Sequence, residues 1–111
     1  SVTEYGMTTS ATSKQLKNEK DLKVLVCCDL VSPKKMEQLQ LVVAITNKDK
    51  KIYYQNFFLS DYYRPSMASQ KMEFQFVLPA FETPEDELKV YFWNPEKIDL
   101  LYKNWEVIVY K

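Results

Sequence analysis

The residues of this 111-residue chain whose types and spacing could do chemistry are mostly aromatic. Tyr53-Tyr54 and Phe57-Phe58 sit in one short run, Tyr62-Tyr63 stands beside the single arginine, Arg64, and Tyr91 alternates with Trp93. A Tyr or Trp ring offers a flat apolar face and a polar tip, the pair of properties that stacks on a pyranose ring and hydrogen-bonds its hydroxyls. A guanidinium beside such rings donates to hydroxyl or carboxylate oxygens. Tyr53, Tyr62, Tyr63, Arg64, Tyr91 and Trp93 are therefore the candidate ligand contacts.

Carboxylates are the other resource. Glu82, Glu85, Asp86 and Glu87 cluster ahead of an alternating segment. A glycosidase needs two carboxyls roughly 5–9.5 Å apart across a cleft. A calcium loop needs about six to eight oxygens and usually a glycine at its sharp bend. Glu85 and Asp86 offer part of such a set without the glycine, so the run reads as a solvated loop tip. The chain has no histidine, which removes the commonest general base and metal ligand. Its one glycine, Gly6, cannot build a phosphate-cradling loop. Cys27 and Cys28 are adjacent, point to opposite faces of any strand, and have no Cys-x-x-Cys spacing. They read as free, small hydrophobes. No catalytic residue, cofactor or metal is expected, and the chain is expected not to be an enzyme.

Lys plus Arg balances Asp plus Glu at 15 each. Without a basic surplus, neither duplex nucleic acid nor an anionic membrane surface is an expected partner. No apolar run approaches the roughly 20 residues that cross a bilayer, and no signal peptide is visible. The first residue is Ser1 rather than Met, the look of a processed or excised segment.

These side chains must be positioned by strands. Residues 1–20 are polar and rich in Thr and Ser; Val2-Thr3-Glu4-Tyr5 could open an edge strand, and Thr8 to Lys20 reads as a loop. From Asp21 to Lys111 a β-sandwich domain is expected. Leu22, Val24, Val26, Cys28 and Leu30 alternate onto one face, as do Leu39, Leu41, Val43 and Ile45. Pro33-Lys34-Lys35 separates those two runs, and the stretch from Lys34 to Leu41 carries only a weak helical pattern. Asn47 to Lys51 is a polar turn leading to a strand over Ile52 to Leu59. Its lysines, like Lys34-Lys35, read as a solvated tip that discourages edge pairing. Adjacent aromatics make this returning strand apolar on both faces, so it is either central or one face is a binding surface. Asp61 to Ser69 is a loop. Met72, Phe74, Phe76 and Leu78 follow on one face, then Leu88, Val90 and Phe92, a turn over Asn94 to Lys97, and a last strand carrying Trp105, Val107 and Val109. Six or seven strands with turns at short, regular spacing predict an antiparallel two-sheet β-sandwich.

The string Leu88-Lys89-Val90-Tyr91-Phe92-Trp93-Asn94-Pro95 resembles the closing strands of small jelly-roll domains, similar to carbohydrate-binding modules, in secreted and membrane-anchored Bacteroidetes proteins. Leu41 to Ile45, Lys51 to Tyr54 and Phe76 to Pro79 fall where such domains have strands. Where that pattern places paired aspartates, this chain has Lys103-Asn104. The resemblance implies a jelly-roll fold and a non-catalytic ancillary domain of an extracytoplasmic bacterial protein. Carbohydrate is then the expected ligand. The alternative is a structural or protein-interaction domain that turns the same aromatics toward a neighbouring domain or protein.

Overall fold

A computed structural model describes residues 5–17, 21–32, 37–48, 50–96 and 101–111. Its strands are β1 (Tyr5–Thr12), β2 (Lys23–Ser32), β3 (Gln40–Asn47), β4 (Lys50–Phe58), β5 (Ser66–Val77), β6 (Glu87–Trp93) and β7 (Leu101–Tyr110). One 3-10 turn, Leu59–Asp61, follows β4. The strands form two antiparallel sheets, ordered β1-β6-β3-β4 and β5-β2-β7. Only the β3–β4 hairpin stays within one sheet; every other connection crosses to the opposite sheet. This wrapped path is a seven-stranded jelly-roll sandwich.

Period-two alternation explains the layering, because successive side chains on a strand point to opposite faces. Val24, Val26, Cys28 and Leu30 from β2 meet Leu41, Val43 and Ile45 from β3, with Met72, Phe74 and Phe76 from β5 and Leu88, Val90 and Phe92 from β6. Where the sheets would gape at their edges, aromatic rings fill the gap. Between β4 and β5, Phe57 packs on Phe74 and Phe76 with centroids 5.6 and 6.2 Å away, and Tyr62 lies 5.1 Å from Phe74. Between β1 and β7, Trp105 and Tyr102 meet the Phe92 ring edge-on at 5.1 and 5.4 Å. The Trp105 Nε1–H also donates to Thr9 Oγ1 at 2.9 Å, tying β7 to β1 across the sandwich.

Several boundaries differ from the sequence expectation. Thr8–Thr12 is not loop but the body of β1, an edge strand paired with β6. Its small polar residues alternate in and out without apolar contrast, so no hydrophobic period marks them. β5 starts at Ser66, which shortens the expected loop to residues 62–65 beyond the 3-10 turn. β7 starts at Leu101, ahead of the alternation that begins at Trp105, and a β-bulge between them breaks the period in the sequence. Cys27 pairs with Glu106 but Asp29 with Lys103, so two β7 residues oppose one on β2. Asn104 absorbs the extra residue at a left-handed φ of 56°, a conformation that Asn tolerates better than most residues. The bulge lets Tyr102 and Trp105, three apart, both point inward. β4 is an edge strand and not a central one, and Tyr54 and Phe58, which it turns away from the core, are exposed. The start of the proposed edge strand at Val2–Glu4, the break at Pro33–Lys35, the weakly helical Lys34–Met36, Asp49 and Lys97 lie outside the described residues.

Candidate functional site

Strand register assembles a candidate site on the outer face of the four-stranded sheet. Residues opposite one another across β6, β3 and β4 form rows about 4.8 Å apart from strand to strand, and same-face rows follow at about 6.8 Å along each strand. The first row is Trp93, Gln40 and Phe58; the second is Tyr91, Val42 and Asn56; the third is Lys89, Ala44 and Tyr54. The rows have a consistent profile. Gln40, Val42 and Ala44 on the central strand are 4%, 0% and 3% exposed, whereas Tyr54 and Phe58 on β4 are 42% and 37% exposed. Tyr91 and Trp93 on the other side are half-buried. Small or short central residues thus lie beneath an aromatic rim. Asn56 Nδ2 donates to Gln40 Oε1 at 2.8 Å and Gln40 Nε2 donates to the Gln38 carbonyl at 3.4 Å, so the buried Gln40 amide is committed within the protein and fixes the exposed Asn56 amide, whose oxygen and second N–H face outward.

A second bulge shapes one end of this face. Ile45 pairs with Tyr53 but Thr46 with Lys51, so one extra β4 residue is accommodated and Lys51 joins Tyr54 on the outer side. The Lys51 ammonium sits 4.6 Å from the Tyr54 ring centroid, within cation–π range. Lys89 is 3.5 Å from the Glu87 carboxylate.

The six candidates from sequence do not converge. Tyr91 and Trp93 share the outer face just described. Tyr53 points to the inner side of β4 and donates its hydroxyl to Gln55 Oε1, while its neighbour Tyr54 takes the outer position. Tyr63 is 6% exposed and belongs to the core. Tyr62 is 53% exposed at the β4–β5 corner. Arg64 is exposed there as well, and its backbone is held by Gln70, whose side-chain amide donates to the Arg64 carbonyl and accepts from the Arg64 N–H. Tyr62, Tyr63, Arg64, Ser60, Asp61 and Gln70 line a shallow 440 Å³ depression separate from the sheet face. Gln40, Asn56, Tyr54 and Phe58 are the site residues that sequence reasoning missed. The parity of the β4 alternation would have selected Tyr54 over Tyr53 once the inward position of Phe57 was known.

The acidic run has a different role from the solvated tip expected of it. Asp86 has no accessible surface. Its carboxylate accepts from Glu82 N–H (2.7 Å), Thr83 N–H (3.0 Å), Thr83 Oγ1 (2.9 Å) and Asn47 Nδ2 (2.8 Å). Burial alone would raise its pKa, but these donors outweigh burial and hold the carboxyl below its ordinary value. Asp86 thereby fastens the loop before β6 to the β3–β4 hairpin, with its oxygens already occupied.

The outer face of the three-stranded sheet carries a 540 Å³ depression lined by Leu25, Cys27, Asp29, Glu73, Glu106 and neighbours. Among the described residues, no three His, Cys, Asp or Glu side chains are grouped as metal ligands are. Both thiols are free; burial pushes Cys28 up to about 12, and burial with the Glu73 carboxylate pushes Cys27 upward too. No protein-family model, curated protein or solved structure matches this chain.

Proposed function

We propose that this domain is a non-catalytic ancillary binding module of an extracytoplasmic bacterial protein, and that it binds carbohydrate on the outer face of its four-stranded sheet. The observation that carries this reading is the grouping of Phe58, Tyr91 and Trp93 around the Asn56 amide that Gln40 holds in place. Rings supply apolar stacking area at little conformational cost, and the exposed Asn56 amide supplies fixed hydrogen-bonding groups for hydroxyls. A rigid sheet holds both in register, so little ordering is needed when a ligand arrives.

Calorimetry against a panel of soluble plant and host polysaccharides tests the proposal. Binding that is lost in Trp93→Ala and Asn56→Ala, but kept in Tyr62→Ala at the remote corner, supports it. No binding tighter than millimolar across the panel would overturn it.

One observation favours a protein-interaction role instead. On the outer face of the three-stranded sheet, Ile108 and Tyr110 of β7 expose apolar surface at 39% and 38%, and Val77 of β5 exposes 62% on the far side of Lys23. Large apolar side chains exposed on one sheet face and interspersed with polar ones are the composition of a contact surface. Concentration-dependent self-association abolished by Val77→Lys would favour that role.

A further inference from the structure

The sheet face is not chemically uniform along its length. Its first two rows, Trp93–Gln40–Phe58 and Tyr91–Val42–Asn56, are aromatic and amide. Toward the hairpin end the third row brings Lys89, and the β4 bulge adds Lys51. Two ammonium groups therefore close that end of the rim; Glu87 is the single carboxylate among the described outward strand positions of β6, β3 and β4, and Glu96, bonded to the Gln38 N–H, lies beyond the opposite end.

Two contacts decide what this end can accept. The Lys51 ammonium lies over Tyr54 at 4.6 Å, so that ring face is already taken by a cation and is closed to a stacking sugar. What Lys51 still presents to a ligand is positive charge. Lys89 and Glu87 meet at 3.5 Å with their side chains 42% and 37% exposed. A pair that exposed contributes little, so an incoming anion can take the ammonium from Glu87 at small cost. A neutral sugar laid over both lysines would strip water from two charges and return only hydroxyl acceptors, with no opposite charge.

Resting on the carbohydrate reading above, we propose that the ligand is an acidic polysaccharide. Its carboxylate or sulfate groups pair with Lys51 and Lys89, while neighbouring rings of the same chain stack along Tyr91, Trp93 and Phe58. The chain's overall charge is zero, so attraction for a polyanion comes from this local arrangement and not from the protein as a whole.

The test compares the unmodified domain with a Lys51→Ala/Lys89→Ala double variant by calorimetry. The probes are polygalacturonate, dextran sulfate and neutral laminarin. Lys103→Ala, on the opposite sheet, is the control for diffuse charge. We expect an acidic polymer to bind more tightly than laminarin, with affinity falling as salt rises. The double variant should lose roughly tenfold, about threefold for each exposed ion pair, and Lys103→Ala should lose nothing. Loss for polygalacturonate alone identifies the group as a carboxylate; loss for both polymers extends it to sulfate. If laminarin binds as tightly and the double variant is unchanged, the acidic-ligand inference is overturned while carbohydrate binding stands. If none of the three binds, but an acidic protein surface does through the same lysines, the carbohydrate reading falls and this inference with it.

Discussion

Replacing Asp86 with alanine removes four hydrogen-bond acceptor contacts at once and leaves their donors to find water. Thr83 and Glu82 are exposed, and the carboxylate, though without surface of its own, lies just beneath the loop. Solvent can therefore rescue much of the loss. Bonds to a charged group contribute about 1.5–3 kcal/mol each where rescue is poor. With rescue at most of the four donors, a net cost of about 3 kcal/mol is expected. At the unfolding entropy of a domain this size, that is a fall in Tm of about 12 °C. The pH dependence provides a second signature. The folded carboxyl titrates below the ordinary 3.8, so its stabilisation is complete above that value and disappears as the pH falls through the lower, folded pKa. The Tm gap between the parent and Asp86→Ala should therefore be constant from pH 7 to about pH 5 and narrow under acid. Thermal denaturation followed by circular dichroism across that range measures both. A drop of under about 3 °C at pH 7, or a gap that does not narrow, would refute the clamp.

Other expectations follow from single contacts. Both Asn104→Val and Asn104→Gly lose the exposed side-chain bond to Asp29, but only Val forces a β-branched residue into the left-handed region, so Asn104→Val should lose about 2 kcal/mol and about 8 °C of Tm and Asn104→Gly less than half of that. Equal losses would mean that φ at the bulge does not matter. Trp105→Phe keeps the ring packing but deletes the donor to Thr9, at a cost of about 1 kcal/mol in denaturant unfolding; no change would show that the β1–β7 tie is idle. Cys28, buried and with its pKa pushed up to about 12, should react with a thiol reagent at neutral pH only as fast as the domain unfolds, with Cys27 reacting first. Two equally fast thiols would contradict the burial.

What could be read in advance was whatever repeats along one strand. The inward rows of β2, β5 and β6 are visible because Val24, Phe74 or Val90 each recur with a partner two residues away. β1 escaped notice because Thr8 to Thr12 has the geometry of a strand without its hydrophobic contrast, and pairing with β6 supplies what composition does not. The start of β7 was hidden by one residue, Asn104, whose bulge moves Tyr102 out of phase with Trp105. Properties that join distant segments were the least legible. Asp86 looked like one acid among four, since its partner Asn47 stands 39 positions earlier. Tyr91 and Trp93 could be paired from sequence, but the amides beside them come from β3 and β4, and only the sheet order makes them neighbours.

The chain's two tryptophans allow the aromatic face to be watched directly. In a Trp105→Phe background, Trp93 becomes the sole indole, and its emission reports that face alone. Titration with a polysaccharide the domain retains should shift Trp93 emission to shorter wavelength and protect it from acrylamide quenching, with a midpoint matching the calorimetric affinity. Saturating ligand that leaves both the emission and the quenching of Trp93 unchanged would place binding elsewhere and contradict the account.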